Sequence, residues 1–406
     1  HYLNNLLKFK PYTLGESEEQ IINLKDTNGI NALVNLYDMI TNTFTFTLRE
    51  NGDESTVTRD QLAAHYRHPS ADVRAAAYQE LFRVYDQNSS VLSQIYSHRA
   101  RDWHAESLTL RKYPTAISAR NLANDIPDRV VDVLLDVASA NNNLFQRYFK
   151  LKAGWLGVEK LRRYDIYAPL TAADKTFEYG HAVELIMDSL NEFSPGVARM
   201  AMRIFDENHI DAEIRPAKRG GAFCYSVLPE LTPWVHVNYT GKARDVATLA
   251  HELGHAIHGI AAADHSLLTY YSSLPLAETA SVFAEMLLTE RLLSEETESA
   301  VRRDLLAYAI DDAYATIQRQ AYLTLFERKA HKQIIDGETV DKLCATYMAN
   351  LDEQFGNALE LSDDFRWEWI TIPHIYHTPF YTYAYSFGQL LVLSLYRQYQ
   401  SEGKAF

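Results

Sequence analysis

VATLAHELGHAIHG, residues 246–259, carries three histidines and one glutamate within about three to four turns of an α-helix. Each helical residue turns the side-chain direction by about 100°, so with His251 at zero, His255 falls at about 40° and His258 at about −20°. Val246, Leu249, Leu253, Ile257 and Ile260 gather on the opposite side. Imidazoles at i and i+4 can aim nitrogens at one point about 2.1 Å from each, a distance that suits zinc. Glu252 is turned aside, toward where a water rather than the metal would sit, which is the H-E-x-x-H arrangement. The bland alternatives are a surface helix with scattered histidines or a structural metal site. The broad aliphatic stripe weighs against the first.

A catalytic zinc takes three protein ligands and keeps one open position. One extension of the motif needs glycine three residues after the second histidine and another histidine three further on. Those places hold His258 and Ala261, so that pattern fails. The other route is a glutamate from a following helix, and residues 274–288 fit one, with Ser273 as N-cap and Pro275 in the first turn. Glu278 and Glu285, two turns apart, point the same way from a helix otherwise rich in Ala, Val, Phe, Met and Leu. Carboxylates on such a helix need a polar or charged partner. Glu278 as ligand and Glu285 as its support is the economical assignment. Standing alone, the pair would read as solvated glutamates. His258 then becomes a structural neighbour of the site.

The rest of the chain excludes more than it assigns. A net charge of −14 over 406 residues disfavours nucleic acid or an anionic membrane as partner. The short basic cluster at 160–163 reads as a helix end. Two cysteines, Cys224 and Cys344, make no disulfide framework and fit a reducing compartment, so a cytoplasmic location is expected. No apolar run approaches the ~20 residues that span a bilayer. A start at His1 with neither methionine nor signal peptide reads as the interior of a longer chain, and the C-terminus reads as clipped too. Oligomeric state is not encoded in any pattern found.

Helical periodicity covers 71–86, 130–151, 181–191 and 305–332. Alternation at 43–48, the Asn51-Gly52-Asp53 turn signal and 55–58 read as a hairpin. A second strand cluster lies at 211–215, 222–226 and 234–238, just before the histidine motif. The expectation is a mainly α fold: a large multi-helix catalytic domain with a small β-sheet next to the HExxH helix. The expected division is a helical N-terminal lobe at 1–130, with the hairpin near 43–58, and a zincin-like helical catalytic region at 131–406.

His251-Glu-Leu-Gly-His-Ala-Ile-His258 together with Glu278-Thr-Ala-Ser281 resembles the oligoendopeptidase F branch of the thimet-oligopeptidase-like zinc metallopeptidases. The likeness extends through Tyr164-Asp-Ile-Tyr-Ala-Pro169, Gly221-Ala-Phe-Cys224 and Asn238-Tyr-Thr-Gly241 to the tyrosine-rich stretch 373–388. It implies one zinc per chain on His251, His255 and Glu278, and short peptides cut internally in a channel between helical lobes. It also implies that the tyrosine-rich stretch lines the cleft. By residue type alone that stretch reads as aromatic core; phenol hydroxyls are also neutral donors suited to an oxyanion. His374, Tyr376, Tyr383 and Tyr385 match the family by position, His377 less securely, and the pattern does not rank the tyrosines.

The expected chemistry is amide hydrolysis by a metal-activated water with Glu252 as general base. The strand at 234–238 is expected to pair with an extended oligopeptide by edge addition, and Gly220-Gly221 to leave room for close backbone approach. Two competitors stand beside this reading. A related zinc carboxypeptidase needs a cationic group for the substrate's terminal carboxylate, and none is identified. A peptide-binding protein without turnover has no use for an intact Glu252.

Overall fold

A computed structural model of the chain describes residues 2–50, 53–170, 176–215, 218, 221–403 and 406. The fold is mainly α, with small sheets. Packing gathers the chain into two compact units, one of 3–170 with 310–386, the other of 171–309 with 387–406. This grouping is discontinuous in sequence, whereas a division at 130/131 follows chain order.

In the first unit, β1 (Phe46–Glu50) and β2 (Asp53–Val57) form an antiparallel hairpin with Phe46 opposite Val57. The Asn51-Gly52 turn lies outside the described residues. Periodicity at 71–86 corresponds to the helix Ala71–Gln87. The pattern at 130–151 is two helices, Asp128–Ala140 and Asn142–Trp155. Asn141 divides them, its side-chain amide donating to the Val137 carbonyl at 2.8 Å and closing the first helix end. The pattern at 305–332 likewise carries a π-turn, Tyr314–Gln318, between Ser299–Ala313 and Arg319–Ile335. The 160–163 cluster is no helix end: Leu161–Arg162 is a two-residue strand, and Arg163 is buried against Glu368 at 2.9 Å.

In the second unit four helices share one core: Tyr179–Phe193, Pro195–Asp206, Ala243–Ala261 and Thr279–Glu295. Val246, Leu249 and Leu253 are fully buried there with Ile186, Ile204 and Leu288, and Ile260 packs at its edge. This is the aliphatic stripe read from the motif. Each such side chain contributes about 1.5–3 kcal/mol on burial, so the stripe fixes which way the histidine face turns.

The strands β3 (Ile210–Asp211), β4 (Phe223–Tyr225) and β5 (Trp234–His236) make the sheet beside this helix, in the order β3-β5-β4. β5 is therefore central, parallel to β3 and antiparallel to β4. That corrects the expectation of edge addition at 234–238. A strand hydrogen-bonded on both sides offers no row of groups to a peptide, and β4 is an edge strand instead.

Candidate metal centre

The helix Ala243–Ala261 starts where the Asp245 carboxylate accepts the backbone N–H groups of Thr240 at 2.7 Å and Lys242 at 3.1 Å. Two turns later it presents His251 and His255. Their Nε2 atoms lie 3.1 Å apart, 3.2 and 3.3 Å respectively from Oε2 of Glu278. Ligands tetrahedrally arranged at zinc bond lengths stand about 3.4 Å apart, so these three atoms outline one face of such a polyhedron. Among the described residues a second group of the kind, Asp26, Asp102 and Glu106, consists of acids alone. The donor set at His251, His255 and Glu278 suits zinc.

Glu278 owes its position to a break in its helix. The short helix Leu274–Ala277, preceded by Ser273 and with Pro275 in its first turn, stops at Glu278, and Thr279–Glu295 resumes the path. Ser281 is fully buried and its hydroxyl reaches both the Glu278 carbonyl at 2.9 Å and Oε2 at 3.0 Å. One helical turn on, Ala284 and Leu288 face the core while Glu285 reaches the Nδ1 of His251. An acceptor on Nδ1 fixes the tautomer that leaves Nε2 free for a cation.

Electrostatics follow from this crowding. Burial alone would lower the His251 imidazole, but hydrogen bonds to Glu278 and Glu285 outweigh it and raise the pKa to about 10. Burial would raise Glu278, and the two histidines instead hold it far below the usual carboxylate range. Glu252, 6% exposed, moves the other way: desolvation lifts it, only partly offset by the nearby histidines. So the same small volume holds one carboxylate kept ionised and another pushed toward neutrality.

These residues line a cavity of about 440 Å3 together with residues 222–226, Tyr270 and Tyr271. Cys224 faces into it, its thiol raised to about 12 by burial and then by the Glu252 charge. Gly221 holds a positive φ of 79°, while Gly220 lies outside the described residues. His258 borders this cavity and a second, apolar one of about 470 Å3 lined by Phe193, Phe283 and Leu287. Its imidazole is lowered, by burial first, and it hydrogen-bonds the backbone of Ala277, next to Glu278.

The tyrosine-rich stretch belongs to the other unit and divides in two by environment. Tyr376 is fully buried, stacked on Tyr37 at 3.8 Å, its hydroxyl 3.4 Å from the Leu92 carbonyl. Tyr383 is also fully buried and accepts from the Asn124 amide at 2.8 Å. Half-buried His374 and Tyr385 form a polar pair, Nε2 to hydroxyl 3.4 Å, with the Tyr381 ring stacked on His374 at 5.9 Å. His377 is exposed and pairs with Asp38 at 2.8 Å.

Two contributors to the centre escaped the motif reading. A Cβ on Gly254 would lie 2.5 Å from Cα of Ser281, so only glycine lets the two ligand helices approach this closely. Ser281 was visible only as a letter in a family pattern; its grip on Glu278 needs the folded chain. The Gly254 signal was available, as a glycine inside an otherwise strong helix pattern.

Residues 64–405 match the sequence model of Peptidase family M3. Oligoendopeptidase F, chromosomal, of Lactococcus lactis subsp. cremoris is 29% identical over 348 residues, covering 85% of this chain and 57% of that protein. The chain thus spans less than two thirds of that relative's length. A solved structure from Chlamydophila abortus superposes with a TM-score of 0.88 at 24% identity, over 99% of this chain and 68% of that one. Oligoendopeptidase-F from Enterococcus faecium gives a TM-score of 0.76 at 23% identity, over 100% of this chain and 67% of that one. With the family match covering most of the sequence, this chain belongs to Peptidase family M3.

Proposed function

We propose that the chain carries the catalytic centre of a zinc-dependent endopeptidase that cuts internal bonds of short oligopeptides. The observation that carries this reading is the convergence of His251, His255 and Glu278 on one point beside a desolvated Glu252. Its relatives' names, oligoendopeptidase F among them, agree in substrate class.

His251, His255 and Glu278 would hold the zinc, with Glu285 orienting His251. Zinc there supplies Lewis acidity and brings the pKa of a water toward ~7. Glu252 takes the proton of the attacking water and returns it to the departing amine, a task that favours a carboxyl with a raised pKa. β4, an edge strand whose residues line the cavity, aligns an extended peptide by strand addition. His374 and Tyr385, which the family resemblance assigns to the cleft, form a polar pair suited to an oxygen on which negative charge develops. Tyr376 and Tyr383, whose hydroxyls are engaged inside the protein, hold that segment in place.

The test uses an internally quenched peptide with wild type, Glu252→Gln and chelated protein. Turnover should disappear in the last two and return when zinc is restored to the wild type. Turnover surviving both changes would rule the mechanism out; a zinc-loaded wild type without turnover would favour a peptide-binding protein.

A further inference from the structure

The helix Arg319–Ile335 buries two ionisable side chains one turn apart, Glu327 and His331, at 0% and 3% exposure. Among the described residues, the Glu327 Oε2 and both His331 ring nitrogens have no hydrogen-bond partner. Buried polar atoms are nearly always paired, so groups left this way ask for a reason beyond packing. The other carboxylate oxygen supplies one: Oε1 accepts the backbone N–H of Phe380 at 2.9 Å.

Phe380 is itself unusual. Its φ is +57°, a left-handed conformation that side-chain-bearing residues rarely adopt, and its ring packs on His331 with centroids 4.6 Å apart. Two half-buried charges converge on the same run of backbone. Arg120 Nε donates to the Pro379 carbonyl at 3.2 Å and Arg99 Nε to the Tyr376 carbonyl at 3.0 Å. Ionisable heads from three helices, Ser89–His104, Ser118–Ala123 and Arg319–Ile335, thus end on five residues of main chain. An apolar core would close this space without the cost of desolvating charges.

The gripped run joins the short helix His374–His377 to the long helix Tyr383–Glu402. His374 stands before it, and Tyr381 and Tyr385 after it. The 3.4 Å approach of Tyr385 to His374 and the stacking of Tyr381 therefore depend on the backbone angle at Phe380.

We propose that Glu327, aided by Arg120 and Arg99, is a positioning residue that locks Phe380 and so sets His374 and Tyr385 in register as a donor pair. The catalytic half of this statement rests on the peptidase reading given above; the conformational half does not. Desolvation raises Glu327 to about 8, against the pull of the Phe380 N–H and of Arg120 and Arg99, so it acts on Phe380 chiefly as a neutral acid at pH 7. A neutral amide oxygen should then substitute for it.

The experiment compares wild type, Glu327→Gln and Glu327→Met, the last keeping volume while removing the acceptor. Hydrogen exchange of the 374–385 peptide should speed up by about tenfold or more in Glu327→Met and stay at the wild-type rate in Glu327→Gln. On the quenched peptide, kcat should fall by about tenfold or more in Glu327→Met with KM within about threefold, and Glu327→Gln should restore it. Wild-type exchange in Glu327→Met overturns the lock. Faster exchange with unchanged kcat overturns the positioning role. A wild type without turnover removes the peptidase reading, and the exchange result still decides whether Glu327 locks Phe380.

Discussion

Gly254 and Ser281 touch main chain to main chain: a Cβ on the glycine would sit 2.5 Å from the serine Cα and 2.6 Å from the Ala280 carbonyl oxygen. Two ligands come from the glycine's helix and the third from the serine's, so this contact sets the distance between them. Gly254→Ala must push the helices apart. The expected result is a zinc affinity lower by about 100-fold and a loss of about 1–3 kcal/mol in stability. Calorimetric titration with zinc and denaturant melts read the two. Wild-type affinity in a folded Gly254→Ala protein would show that the close approach is not needed.

Glu285 acts on the metal through His251. Glu285→Gln leaves an acceptor beside Nδ1 but removes the charge, and Glu285→Ala removes both. Zinc affinity should fall by about tenfold for the first and by up to about 100-fold for the second. Equal, wild-type affinities in the two variants would contradict the role given to Glu285.

Without metal, His251 has a pKa of about 10 because Glu278 and Glu285 outweigh burial. A histidine raised above its unfolded value of about 6.5 adds stability that is complete below that value and vanishes as pH climbs through the folded one. Chelated wild type should therefore melt above chelated Glu278→Gln at pH 7, with the gap shrinking by pH 10. A gap independent of pH would mean that the His251–Glu278 pairing does not form.

Glu327 titrates with a consequence of the same sign, in a more acidic window. Burial lifts its carboxyl to about 8, so between the unfolded value near 4.5 and the folded one the native state holds the extra proton. Stability owed to this group falls as pH rises across that window. Thermal melts from pH 5 to 8 should show wild type losing ground to Glu327→Gln, which cannot ionise. Parallel curves would place the Glu327 pKa in the ordinary range.

What could be read without the fold was what is local in the chain. His251 and His255 are one turn apart and the aliphatic stripe runs behind them, so helical periodicity alone orients both. Periodicity also puts Glu278 and Glu285 on one face of a second amphipathic segment, but standing alone that pair reads as solvated glutamates; the histidine motif before it is what gives the carboxylates a partner. The break at Glu278 was not legible, since Pro275 marks a helix start and hides the interruption three residues on. Nor was the order of the three short strands, because pairing between segments separated by loops leaves no periodic trace; hence the misplaced edge at 234–238. Asn141 interrupts a helix without disturbing apolar spacing, so the pattern ran through it. In the tyrosine-rich stretch, Tyr376, Tyr383 and Tyr385 look equivalent as letters. Only packing separates two enclosed rings from one that shares a half-buried polar cluster with His374.

The metal assignment is tested most directly by diffraction from zinc-soaked crystals, with anomalous data on both sides of the zinc edge. One peak is expected per chain, about 2.0–2.2 Å from the Nε2 atoms of His251 and His255 and from a carboxylate oxygen of Glu278. No peak there, or a peak held instead by the Asp26, Asp102 and Glu106 carboxylates, would contradict it.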